Sequence, residues 1–143
     1  MKKYLNCFLF LLCMSLCMNN QTILAANNTI KVLDIETNSV VKEAEASEDI
    51  DKEVEKAIKS IQRVTVQANP VPKKGYLIKI PLTKAIKVKS KWFNDIVSEA
   101  LLIYNPATKN KGIIILYTDE NTPLFFDIDY DFSPLLKKIN KES

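Results

Sequence analysis

Asp127-Ile128-Asp129-Tyr130-Asp131 is the run whose residue types and spacing most suggest a site. Three carboxylates at alternate positions on a strand project from one face, and together they could hold a hard cation such as calcium. The pattern of a calcium loop is not met, because Phe132 stands where the turn glycine belongs and Lys138 where a bidentate glutamate would close the site. Phe126, Ile128, Tyr130 and Phe132 alternate on the opposite side, as an ordinary half-buried strand requires. Asp127, Asp129 and Asp131 are therefore the metal-binding alternative to a solvated strand face.

A second group is basic. From Lys73 to Lys91 there are seven lysines and no acid, and the stretch ends on Trp92 and Phe93. Lys73, Lys74, Lys87, Lys89 and Lys91, with the two aromatic residues, form a candidate contact surface for an anionic envelope polymer, lipid headgroups or an acidic protein. An opposing segment, Asp34 to Glu55, carries nine carboxylates and two lysines, so the two could instead neutralise each other within the fold. Carboxylate-only hydrolysis would need an acid and a base across a cleft. Glu99, Asp119 and Glu120 are available for it, but nothing in their spacing singles them out.

The rest of the composition narrows the chemistry. Lys2 and Lys3 precede an apolar run from Tyr4 to Met18, and Ile23, Leu24, Ala25 and Ala26 supply small residues after a polar stretch. This is the layout of a secretory signal cleaved near Ala26. A run of about 15 apolar residues falls short of the roughly 20 that span a bilayer core. The residues before Cys7, Cys13 and Cys17 (Asn6, Leu12 and Leu16) are not the small ones that lipidation requires. Cleavage removes all three cysteines, and the chain has no histidine. Disulfides, Cys/His zinc sites, cysteine nucleophiles and Ser-His-Asp catalysis are excluded from the exported part. Loss of Lys2 and Lys3 leaves 18 basic against 17 acidic residues, a near-neutral domain for which nucleic-acid binding is not expected. The expectation is a secreted or extracytoplasmic binding domain, without cofactor or enzymatic activity and with no transmembrane helix after cleavage.

Several elements must position these residues. Thr29 to Ile35 is weakly strand-like, and residues 27–46 are expected to be a flexible lead-in or first strand. Ile50, Val54, Ala57, Ile58 and Ile61 share one stripe of a helix over Ser47 to Arg63, with Ser47 as its cap and Glu48, Asp49 and Asp51 at its positive end. Val64 to Ala68 alternates, Asn69 to Gly75 is a proline-rich turn, and Tyr76 to Leu82 predicts a strand that Pro81 marks as an edge or a bulge. Lys84 to Lys89 is expected to be extended. Trp92, Phe93, Ile96, Val97, Ala100 and Leu101 fit a helical stripe, which predicts a helical or irregular piece to Ser98 with a strand after it. IleIleIleLeuTyr after Gly112 and the run from Leu124 to Phe132 predict a hairpin around Asp119 to Pro123. Ser133-Pro134 opens a C-terminal helix.

Asn69 to Leu82 (an NPxPKKG turn running into KIPL), the acidic helix before it, and the late hairpin with Asp119-Glu120-Asn121 and Leu124-Phe125-Phe126 resemble a group of small exported proteins of Gram-positive bacteria. The resemblance runs from about Lys42 to the end and implies a domain and a compartment, with no activity attached. The fold class expected is α+β: an N-terminal amphipathic helix packed on a mostly antiparallel sheet, with a short C-terminal helix, as one domain over residues 47–143.

Overall fold

The computed structural model describes residues 27–67 and 69–143. The expected signal segment lies outside them. Among the described residues no helix is long and apolar enough to cross a membrane.

Alternation of Ile30 and Val32 with polar neighbours builds β1 (Thr29–Asp34), whose inward residues are fully or nearly buried. The chain then reverses. Asp34 Oδ1 accepts hydrogen bonds from the amides of Glu36 and Thr37, and β2 (Ser39–Glu45) returns antiparallel to β1. Thr29 to Ile35 thus forms the strand its residues suggest, the polar stretch after it is the second half of a hairpin instead of a loose lead-in, and the first helix follows that hairpin instead of opening the domain.

That helix, α1 (Glu48–Lys59), buries Ile50, Val54, Ala57 and Ile58. The amides of Ile50 and Asp51 bond the Ser47 carbonyl, while the Ser47 hydroxyl is buried without a partner. The expected side-chain cap is absent. The helix stops earlier than its stripe suggests because Ile61 begins β3 (Ile61–Val64), so the strand placed at Val64 to Ala68 is displaced toward the N-terminus.

Four further strands complete the sheet: β4 (Tyr76–Lys89), β5 (Asn94–Tyr104), β6 (Lys111–Tyr117) and β7 (Pro123–Asp129). All pairings are antiparallel, in the order β2-β1-β4-β5-β6-β7-β3. The expected hairpin around Asp119 is β6–β7. Pro81 sits at a register break between β4 and β5 and beyond the last residue of β4 that pairs with β1, so it marks both the bulge and the edge its ring allowed. Of the piece expected to be helical or irregular up to Ser98, Trp92 and Phe93 lie in a turn and residues 94–98 belong to strand β5. Gly75 adopts φ +125°, where a Cβ would lie 2.6 Å from the Tyr104 carbonyl oxygen, which explains the glycine at the end of the proline-rich turn.

The second helix, α2 (Ser133–Lys141), starts with Pro134 in its first turn, and the Asp131 carboxylate accepts from the Ser133 amide. Leu135 and Ile139 of α2 join α1 on one face of the sheet, over Ile78, Ile80, Leu102, Ile114, Leu116 and Phe126. The result is an α+β domain with a large sheet, crossed by α1 from the β2 edge to the β3 edge.

Candidate functional site

β1 pairs with β4 only over Tyr76–Lys79, whereas β4 continues for ten more residues with β5 as its partner. The far halves of these two strands therefore form a hairpin that overhangs the sheet beside α1. Its turn is tight: the Ser90 amide bonds the Phe93 carbonyl at 2.9 Å, and Ser90 Oγ accepts from the amides of Trp92 and Phe93. Phe93 is buried to 4% exposure and meets Phe126 edge-on, with ring centroids 6.1 Å apart. It anchors the hairpin to the core and has no exposed contact role, contrary to the sequence expectation.

Between this hairpin and the end of α1 lies a cleft of about 520 Å³. Ile58, Ile61, Ile86, Val88 and Trp92 make its apolar lining, and Lys59, Lys87, Lys89 and Glu55 stand around it. Lys91 places its ammonium 4.5 Å from the centre of the Trp92 ring, a cation–π contact that holds one more positive charge beside the opening. A volume of this size is within the usual range for ligand sites.

The lysine-rich stretch divides in two. Lys74 pairs with Glu36 at 3.1 Å, Lys79 with Glu99 at 3.0 Å and Lys84 with Glu48 at 2.7 Å. The pairs with Glu36 and Glu48 join the basic stretch to the acidic segment and neutralise part of it, while Glu99 comes from β5. Among the described residues Lys73, Lys87, Lys89 and Lys91 have no ion-pair partner, and the last three stand together at the cleft. Lys73 and Lys74 precede β4, whereas Lys87 and Lys89 lie at its far end, so the two groups belong to different ends of the strand.

The aspartate series is also dispersed. Asp127 accepts from Arg63 Nε at 2.7 Å and Thr65 Oγ1 at 2.8 Å, Asp129 ends β7, and Asp131 lies beyond the strand at the start of α2. Among the described residues no three acidic groups converge as metal ligands. Millimolar calcium is accordingly expected to leave the melting temperature unchanged, and a clear rise would restore the cation reading. Glu99 and Asp119 share a recess of about 640 Å³ that Glu120 does not line. A hydrogen bond with Asp95, then the charge of that carboxylate, raises the Asp119 carboxyl above its usual range, while Glu99 is held by Lys79.

No protein-family model, curated protein or solved structure matches this chain. Functional meaning therefore rests on the cleft's own chemistry.

One group central to the site's framework had a visible but unused signal. Glu53 lies three residues after Ile50 and four before Ala57, on the apolar stripe of α1. It is 1% exposed, and its carboxylate accepts from Tyr130 Oη at 2.8 Å, Lys138 Nζ at 2.7 Å and Lys56 Nζ at 3.0 Å. This knot ties α1, α2 and the segment after β7 together, and so fixes the helix that walls the cleft. Asp51, also buried and two residues before Glu53, ties the same half of α1 to the β4 bulge through the amide and hydroxyl of Thr83.

Proposed function

We propose that the protein is an exported, non-enzymatic binding domain acting at the outside of the cell envelope, with the cleft between α1 and the β4–β5 hairpin as its contact surface. The observation that carries this reading is the coincidence of an apolar lining with Lys87, Lys89 and Lys91, none of which has an ion-pair partner among the described residues. Burying apolar surface supplies affinity in rough proportion to its area. Unpaired cations at the rim select an anionic partner and speed its approach. The cleft thus suits a partner with both an acidic and an apolar part.

Reversing Lys87 and Lys89 to glutamate is expected to weaken retention on isolated cell envelopes by about tenfold or more at low ionic strength, given about 1 kcal/mol per basic residue at an anionic surface. The difference from wild type should shrink as salt shortens the screening length. Reversal of Lys73 and Lys74, which lie at the other end of β4, is expected to change retention little. Equal retention of wild type and a folded Lys87→Glu/Lys89→Glu variant across the salt series would sink the proposal.

A further inference from the structure

The cleft also exposes backbone. Strand β4 has a partner on only one side over Ile86–Lys89, because β1 ends its pairing at Lys79. The phase of its hydrogen bonds follows from the turn: Ser90 bonds Phe93, and alternation in an antiparallel ladder then makes Val88/Asp95 and Ile86/Val97 the next bonded pairs. The amides and carbonyls of Lys87 and Lys89 consequently point away from β5, to the free edge. Among the described residues none of these four groups has a backbone partner.

This edge differs from the one at β2. There the register slips beside Val41, charged residues follow, and the outward amide of Glu45 is taken by the Glu142 carbonyl. Those are ordinary devices for blunting an edge. At Lys87 and Lys89 the edge instead borders an apolar cleft.

We propose that the occupant of this cleft is an extended acidic segment of a partner protein, which adds to β4 as a further strand. The inference rests on the cleft being the binding surface, and it specifies what binds there and how. An added strand would satisfy the four outward groups of Lys87 and Lys89 along about 13 Å of edge, four residues at strand rise. Side chains alternate on both strands. Apolar residues of the incoming segment would face Val88, Ile58, Ile61 and Trp92, and its acidic residues would face the ammonium groups of Lys87 and Lys89. A glycan accounts for less, because the only hydroxyl in the lining, that of Ser90, is committed to the turn. An acyl chain would cover the apolar lining yet leave the strand edge beneath it without partners, which is costly away from water.

Trp92, the only tryptophan in the chain, lines the cleft and reports on it directly. The probe is an acetylated, amidated hexapeptide alternating glutamate and valine, titrated into the protein while the Trp92 emission is followed. Saturable change is expected, and a version N-methylated on alternate amides should not compete. Lys89→Gln removes charge alone, whereas Lys89→Pro removes the same charge and the outward amide, a change edge strands accept. Lys89→Pro is expected to bind about tenfold more weakly than Lys89→Gln, the scale of one lost hydrogen bond. Equal affinity of these two folded variants, or undiminished binding of the N-methylated peptide, overturns strand addition. If phosphatidylglycerol vesicles perturb Trp92 and the peptide does not, strand addition falls while the cleft remains the binding surface. If neither does, and Lys87→Glu/Lys89→Glu keeps its envelope retention, both readings fall.

Discussion

Replacing Glu53 with alanine is expected to lower the melting temperature by about 12 °C, corresponding to a loss of about 3 kcal/mol. The carboxylate is the common acceptor of three donors, and its side chain is 2% exposed, so the alanine variant leaves those donors facing an apolar space. Lys56 can turn to water. Tyr130 cannot, because its ring is packed edge-on against Phe132 and its hydroxyl is buried. Most of the cost is therefore an unsatisfied phenol and a displaced Lys138, whose ammonium also bonds the Asp49 carbonyl. Combining Glu53→Ala with Tyr130→Phe should cost less than the two losses added together, since the second change removes the orphaned donor. Strict additivity in urea unfolding would show that the hydroxyl and the carboxylate do not act as one unit.

The same knot makes stability depend on pH with a defined sign. Burial, the largest influence on Glu53, pushes its carboxyl up, but hydrogen bonds from Lys138, Lys56 and Tyr130 together outweigh it and bring it to about 2, against an ordinary 4.5. A carboxyl lowered by folding stabilises the folded state fully above its unfolded value and loses that contribution as pH falls toward the folded one. The stability gap between wild type and Glu53→Gln should thus be constant near neutrality and narrow from about pH 4.5 down to about pH 2. A gap that stays level through this interval would show that the ionised form is not what the fold selects.

What the sequence discloses depends on whether a segment keeps one period. The β6–β7 hairpin and the α1 stripe do, and both form where the residues place them, except that the helix ends at Lys59 and gives Ile61 to β3. Strand β5 does not, for a physical reason: the register break opposite Ser98 puts Val97 and Ala100, three residues apart, on the same inward face. Phe93 and Val97, both buried, add a spacing of four. A bulge has imitated a helix. Strand β2 is hidden differently, because an edge strand that is mostly exposed needs few apolar residues and leaves little alternation to see. In the candidate site, the lysines could be counted but not sorted. Which of them remain unpaired depends on Glu36, Glu48 and Glu99 arriving from other elements, and the free edge at Lys87 and Lys89 depends on where β1 stops.

The second large effect is expected at Gly112, where one added methyl group should destabilise the domain by about 3 kcal/mol. A Cβ there would lie 2.6 Å from the Ile103 carbonyl oxygen and 2.6 Å from Phe132 Cζ. Neither neighbour can give way cheaply. The carbonyl belongs to β5 in the middle of the sheet, and the Phe132 ring, 2% exposed, is wedged between Tyr104 at 4.7 Å and Tyr130 at 5.1 Å. Pairing Gly112→Ala with Phe132→Leu, which removes the ring atoms in the clash, should recover part of the loss. If Gly112→Ala melts with the wild type, the close approach carries no energetic weight. Phe132 directly precedes α2, so a ring pushed off Gly112 also drags the helix that brings Lys138 to Glu53. The Gly112→Ala variant should therefore show a flatter acid limb than wild type, because the same shift that strains the sheet loosens the donor that keeps Glu53 ionised.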